Sequence, residues 1–278
     1  MSFKIVLDSC GELPEQYQHD ERFQRVPLQL IVGDYQVADD ENFNQTEFLQ
    51  KVAATETCAK SACPSPESYM EAYRTKADHV YVVTLSSHLS GSYNSAVLAK
   101  NLYVEQYGEK DIYVCDSLSA SVGETQIGFL AMKMEEQGLP FDEIVKKLEE
   151  YRDGMHTYFV LDNLETLRKN GRMSAVKAFV ASTLNIKPVM GAIAGVIIQK
   201  GQAIGIKKAL MKMADTALAE AIDTKNKPLF ISHCNCPERA QMVKERMESK
   251  EEFAYVEILD TAGVSSMYAN DGGVIVTL

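Results

Sequence analysis

Three short apolar runs in the first half of the chain each end in two small polar residues. Residues 4–7 precede Asp8 and Ser9, residues 80–85 precede two serines, and residues 112–115 precede Asp116 and Ser117. Short runs rich in Val and Ile are typical of buried parallel strands. The carboxyl ends of such strands meet at one edge of an open sheet, where ligands bind. The pattern predicts a binding crevice at that edge, although each polar pair can also simply cap the following helix.

Helical patterns accompany these strands. Residues 93–105, 127–134 and 141–151 carry apolar side chains at helical spacing, which predicts an α/β fold. Residues 26–37 alternate apolar and polar positions around Gly33 and Asp34, which predicts a small hairpin. We therefore expect an N-terminal, Rossmann-like parallel-sheet domain with a hairpin excursion over residues 1–154.

The pattern changes near residues 152–155, where we place a domain boundary. Beyond it we predict strands at 158–161, 196–198, 229–232, 255–259 and 274–277, and helices at 163–167, 175–184, 207–222 and 237–248. Such a mixture is typical of an α/β domain with a mixed sheet. We assign residues 155–278 to this C-terminal domain.

Charge and composition exclude several classes of protein. The chain has 28 basic and 39 acidic residues and a net charge of −11, which disfavours non-specific binding to nucleic acid or anionic membranes. The start of the sequence lacks the features of a secretory signal, and no run approaches the ~20 apolar residues that span a bilayer. We expect a cytoplasmic protein with no nucleic-acid partner and no membrane insertion.

The six cysteines do not form a dense disulfide framework. Cys234 and Cys236, next to His233, resemble half of a metal site, but no second ligand pair follows at zinc spacing. We interpret these cysteines as structural and predict no metal.

The segment at residues 86–95 combines hydroxyl side chains with a glycine where a strand gives way to a helix. Ser90, Gly91 and Ser92 occupy this position, and a helix N-terminus offers unpaired N–H groups to an anion. His88 has no visible acid or cysteine partner and is interpreted as a solvated loop histidine. The segment alone indicates only a small-anion site.

Two further segments contribute candidate residues. Ser65 is predicted to cap a helix that starts at Pro66, which leaves Ser61 in the preceding loop free to face a ligand. Gly171 is placed just after a helix, before another begins at Ser174. Arg172 lies between the two helices, and the pattern does not decide between a ligand contact and a solvated arginine.

Short motifs occur in order over nearly the whole chain: Asp8-Ser9, Ser61 with Pro64-Ser65, residues 89–93, Asp116-Ser117, Asn163-Leu164 with Gly171-Arg172, and Lys187-Pro188. This ordered set resembles the DegV family of FakB-like fatty-acid-binding proteins. The resemblance implies two α/β domains, an acyl chain in a buried tunnel, and a carboxylate near the domain interface. It also implies a partner, a separate fatty acid kinase that uses ATP to convert the bound acid to an acyl phosphate for phospholipid synthesis.

The resemblance also assigns roles to residues of this sequence. Ser90 matches the serine that binds the carboxylate, Ser61 stands where threonine is frequent, and Arg172 matches an arginine near the head group. Tyr268 stands where many members have histidine, and Gln202 or Ile204 replaces a basic residue before Lys207. The expected ligand-binding set is Ser61, Ser90, Gly91, Ser92, Arg172 and Tyr268, with no catalytic residue and no cofactor besides the bound fatty acid. These two departures from the family pattern, at Tyr268 and before Lys207, concern the interaction with the kinase more than ligand binding.

The competing hypothesis is an α/β hydrolase or phosphotransferase acting on a small anionic substrate in the same crevice. The chain lacks the Gly-x-Ser-x-Gly nucleophile motif, the Gly-x-x-x-x-Gly-Lys phosphate loop and the Gly-x-Gly-x-x-Gly dinucleotide motif. Lipid that co-purifies with the protein would distinguish the two hypotheses.

Overall fold

The structure is a computed structural model that describes residues 2–173, 176 and 185–278. Its strands are β1 (Phe3–Asp8), β2 (Phe23–Val26), β3 (Gln29–Val32), β4 (Tyr35–Ala38), β5 (Lys60–Ala62), β6 (His79–Thr84), β7 (Asp111–Asp116), β8 (Thr157–Val160), β9 (Ile186–Ile193), β10 (Val196–Ile204), β11 (Leu229–His233), β12 (Val256–Asp260) and β13 (Val274–Thr277). Its helices are α1 (Gln45–Ala54), α2 (Pro66–Tyr73), α3 (Ser92–Tyr107), α4 (Val122–Glu136), α5 (Phe141–Asp153), α6 (Glu165–Lys169), α7 (Ile206–Glu220), α8 (Pro237–Glu248) and α9 (Gly263–Ala269).

The first sheet has the order β2-β1-β6-β7 and is parallel throughout. Val6, Val82 and Val114 lie side by side across its three longer strands. Helix α4 packs against β1 and β6, while α3 packs against β6 and β7. The predicted parallel sheet is therefore confirmed. Edge strand β2 was not predicted, because the two residues at its centre, Gln24 and Arg25, are polar.

The second sheet has the order β10-β9-β8-β13-β11-β12, and only its last pair of strands is parallel. Helix α7 packs on β8, β9 and β10, while α8 packs on β11 and β12. Helix α4 of the first half contacts β11 and β13. The predicted mixed sheet is confirmed, and α4 is packed between the two sheets.

The predicted hairpin is present as β3 and β4, which pair around Gly33 and Asp34. Strand β5 adds to it, with Leu30 opposite Ser61. The prediction that Ser61 lies in a loop is wrong. A three-residue strand of Lys, Ser and Ala has no apolar alternation, so pairing with β3 decides its structure.

Several elements differ from their predictions. Helix α9 was not predicted because it starts at Gly263 and contains two serines, and α1 and β9 were also missed. The predicted helix at 175–184, with the restart at Ser174, lies outside the described residues. The other predicted elements are present with shifted bounds, and we retain the proposed boundary near residues 152–155, where α5 ends and β8 begins. No described helix is long and apolar enough to cross a membrane.

Candidate functional site

A largely apolar cavity, partly open to solvent, lies between the carboxyl edge of the first sheet and the face of the second sheet. Its free interior volume is about 80 Å³, which is narrow and suits a slender ligand better than a bulky one. Its described lining comprises Cys10, Ser61, Leu85, Leu89, Leu118, Ser119, Ala120, Ser121, Thr157, Phe159, Leu161, Leu167, Arg172, Ala192, Gly195, Ile197, Val264, Ser265, Tyr268, Ala269 and Ile275.

Strand β8 supplies one wall of this cavity. Thr157 and Phe159 project to the same face because side chains alternate along a strand, and Leu161 follows in the same direction. Leu85 and Leu118 come from the opposite wall, in the loops that follow β6 and β7. The predicted crevice at the carboxyl edge therefore coincides with one wall of the cavity.

The tip of the β9–β10 hairpin closes part of the cavity. Ala194 and Gly195 have positive φ angles of 46° and 79°, as a tight turn requires. The Ser86 hydroxyl donates to the Gly195 carbonyl at 3.2 Å. This contact holds the tip of a hairpin from the second half against a loop of the first half.

Three of the candidate residues meet on the cavity wall. The Ser61 and Tyr268 hydroxyls are 3.4 Å apart. Arg172 lines the same cavity, where its Nε donates to the Leu89 carbonyl at 3.1 Å and its Nη1 donates to the Asn170 carbonyl. Two neutral hydroxyls and a guanidinium can together bind a carboxylate.

The protonation state of Tyr268 follows from its surroundings. Burial raises the pKa of this phenol above its usual value, and the Ser61 hydroxyl and Arg172 partly offset the rise. The phenol is therefore neutral throughout the physiological pH range. It can donate one hydrogen bond to a carboxylate but adds no positive charge.

The other three candidates lie beside the cavity at the start of α3. The Ser90 and Ser92 hydroxyls are 3.0 Å apart, and the Ser92 backbone N–H donates to the Ser90 hydroxyl at 3.2 Å. Gly91 is the N-cap, and a Cβ there would lie 3.0 Å from the Cys63 sulfur. None of the three is in the described lining of the cavity, but Leu89, which directly precedes Ser90, is part of that lining.

A buried polar cluster behind the cavity was largely missed by the sequence analysis. Both oxygens of Asp8 accept backbone N–H groups, from Cys10 at 3.0 Å and Leu85 at 2.8 Å. Glu124, on α4, is fully buried nearby. Burial and the proximity of Asp8 raise the pKa of Glu124, and burial likewise raises the pKa of Asp8. The available signal was a glutamate between a glycine and a threonine, just before the apolar run at residues 127–132 of the same helix.

Glu12 is a further buried acid next to this cluster. Its carboxylate accepts the Ser121 hydroxyl at 2.8 Å, and burial raises its pKa to about 7. Ser121 in turn contacts the Ser232 hydroxyl at 2.7 Å across the two halves of the chain. These bonds connect the loop after β7 with strand β11.

One group of described residues has metal-ligand types in proximity. Ligand atoms of Asp8, Cys10 and Glu124 lie within 4.8 Å of one another. Both Asp8 oxygens already accept backbone hydrogen bonds, and burial raises the pKa of the Cys10 thiol well above its usual value. These properties suit a protonated structural cluster better than a metal site. Cys234 and Cys236 are buried free thiols. His88 is exposed in its loop, in agreement with the prediction for this residue.

The fold and the cavity define a class of α/β protein with two sheets and an apolar cavity between them. A family model described as "Uncharacterised protein, DegV family" matches residues 2–277. The chain belongs to the DegV family, as its motifs predicted. A DegV domain-containing protein of Streptococcus gordonii is 36% identical over 283 residues, covering 99% of this chain and 98% of the relative.

Two solved structures show the same fold. A DegV family protein from Ruminococcus gnavus, refined with vaccenic acid, is 50% identical with a TM-score of 0.98, and the match covers 100% of both chains. The Streptococcus pneumoniae Fatty Acid Kinase (Fak) B3 protein, loaded with linoleic acid, is 31% identical with a TM-score of 0.89, covering 100% of this chain and 99% of that one.

Proposed function

We propose that this protein binds a long-chain fatty acid in the described cavity and is not itself an enzyme. The observation that carries the proposal is a largely apolar cavity with Ser61, Tyr268 and Arg172 on its wall. Each buried methylene stabilises the complex by about 0.8 kcal/mol, so the chain supplies the affinity. The polar groups need only orient the carboxylate, with Ser90, Gly91 and Ser92 close by.

We further propose that the bound acid is presented to a separate fatty acid kinase. The similarity to the Streptococcus pneumoniae Fak B3 protein supports this partnership. The cavity itself offers little to a hydrolase, because its described lining contains no aspartate, glutamate or histidine that could act as a general base. A binding protein whose ligand is phosphorylated by a partner is consistent with this lining.

Organic extraction of the purified protein tests the proposed function. Protein from a bacterial host should carry about one equivalent of a fatty acid of roughly fourteen to eighteen carbons, because an apolar cavity is costly to leave exposed to water. Mass spectrometry of the extract identifies the acid. Protein that carries no lipid and takes up no added fatty acid would contradict the proposal.

A further inference from the structure

Two hydroxyl side chains on the cavity wall make no hydrogen bond to Ser61 or Tyr268. Ser119 and Thr157 both line the cavity, and their side-chain oxygens are 2.7 Å apart. Thr157 lies four residues before Leu161 on one wall, a separation of about 13 Å at the usual strand rise. Leu161 packs in one apolar cluster with Tyr268. The hydroxyl pair therefore faces the acyl chain and not the head group.

The hydrogen bonds of this pair leave one donor available. If Thr157 donates to Ser119, the next acceptor for Ser119 is the Ala120 carbonyl at 3.5 Å, the limit of a hydrogen bond. If Ser119 donates instead, no further acceptor for Thr157 lies within reach among residues 2–173, 176 and 185–278. An O–H group buried without a good acceptor costs free energy, which a polar ligand atom would recover.

The surroundings of the pair restrict the chemistry of that ligand atom. Arg172 is the one cationic side chain in the described lining, and its guanidinium is hydrogen-bonded at Leu89 and Asn170. Phe159 and Ile275, which line the cavity, are apolar. A second carboxylate at this end would be buried without a counter-charge, which is unfavourable. A neutral oxygen, which can both donate and accept, matches the two hydroxyls.

We propose that the cavity accepts a fatty acid that carries a hydroxyl group near the middle of its chain, and that Ser119 and Thr157 bind that hydroxyl. The inference rests on the proposed fatty-acid binding and specifies its ligand class. Plain fatty acids bind in the same cavity, but they leave the available O–H group of the pair without a partner.

Competition binding with two acids tests the proposal, using octadecanoic acid and the same acid with a mid-chain hydroxyl. In the parent protein, the hydroxylated acid should bind at least as tightly as the plain acid. Thr157→Val and Ser119→Ala should each lower the ratio of the affinity for the hydroxylated acid to the affinity for the plain acid about tenfold. An unchanged far-UV circular dichroism spectrum shows that each variant is folded.

A matched control is Ser265→Ala. The Ser265 hydroxyl also lines the cavity, but it donates to the Cys10 carbonyl at 3.3 Å. This variant should not discriminate between the two acids. The proposal is overturned if the parent protein binds the hydroxylated acid more than tenfold more weakly than the plain acid, or if Thr157→Val weakens both acids equally. Failure to bind either acid would instead refute the proposed function itself.

Discussion

At the scale of single residues, the Ser61 and Tyr268 hydroxyls, which are 3.4 Å apart, form the core of the proposed head-group site. Burial raises the pKa of Tyr268, so the phenol stays neutral across the physiological pH range. The only positive charge that the described cavity lining offers is the Arg172 guanidinium. In the proposed site, hydrogen bonds from hydroxyl groups therefore take the place of a histidine.

The first prediction concerns the pH dependence of fatty-acid affinity. The parent protein should bind with nearly constant affinity between about pH 6 and 7.5, the range in which an ordinary histidine changes charge. Tyr268→His should bind more tightly as the pH falls through the histidine pKa, since only the protonated imidazole attracts the anion. Binding isotherms at about pH 5.8, 6.8 and 7.8 measure this. A midpoint near neutrality in the parent would mean that another group, such as His88, reaches the head group.

The second prediction tests Ser90 directly. Ser90→Ala should weaken fatty-acid binding by about 1.5 to 3 kcal/mol, the value of a hydrogen bond to a charged group. Ser65→Ala is the control, because the Ser65 hydroxyl caps α2 by accepting the Ser68 N–H at 3.2 Å. It should leave affinity unchanged. Unaltered affinity in the Ser90 variant would assign the carboxylate to the Ser61 and Tyr268 pair alone.

Sequence reasoning identified the residues that local chemistry marks and missed those that only the tertiary structure brings together. Ser61 and Arg172 belong to short sequence motifs, and both line the cavity. Glu12 and Glu124 are far apart in the chain, and neither stands beside a partner in sequence. Their burial depends on the packing of α4 against both sheets, which no local pattern encodes.

At the scale of elements, strand ends and turns were the most predictable features. The polar residues that follow β1, β6 and β7 indicated the binding edge, because this position is common to all parallel sheets. Strand β5 was missed for a different reason. Its three residues are half-buried or exposed, and their conformation depends on pairing with β3.

The third prediction concerns the tip of the β9–β10 hairpin. In Gly195→Ala the new methyl would lie 2.5 Å from the Ser86 oxygen, at a φ of +79° that alanine disfavours. The tip should therefore separate from the Ser86 loop and allow faster fatty-acid release. Gly138→Ala is matched, with a φ of +76° and no atom within 4 Å of the new methyl. Both should lose about 1 to 2 kcal/mol of stability from backbone strain.

Stopped-flow displacement of a fluorescent fatty acid measures the release rate in both variants. Release should accelerate only in the Gly195 variant. Equal rates in the two variants would show that the hairpin tip does not control escape of the ligand.

At the scale of the whole molecule, the buried acids make stability depend on pH. The pKa of Glu12 rises from 4.5 in the unfolded chain to about 7 in the folded protein, because burial disfavours its charge. Between these values the folded state holds a proton that the unfolded state releases, so stability falls as the pH rises. Asp8 and Glu124 have pKa values raised in the same direction.

The fourth prediction follows from this linkage. The free energy of unfolding of the parent should decrease between about pH 4.5 and 7, with a contribution from Glu12 of at most about 3 kcal/mol. In Glu12→Gln, the free energy of unfolding should decrease less over this pH range, and the variant should be more stable than the parent at pH 8. Glu15→Gln, at an exposed glutamate, should leave the profile unchanged. Urea unfolding across this range measures it, and parallel profiles for the parent and Glu12→Gln would contradict the assignment.

The position of β13 in the second sheet has a consequence for the newly made chain. This strand lies between β8 and β11, and its Ile275 lines the cavity. Ribosomal synthesis delivers the first sheet long before residue 275, and early segments tend to fold first. Until β13 has been made, the cavity lacks the wall that Ile275 supplies. We therefore expect the proposed lipid uptake to follow synthesis of β13 and not to accompany folding of the first sheet.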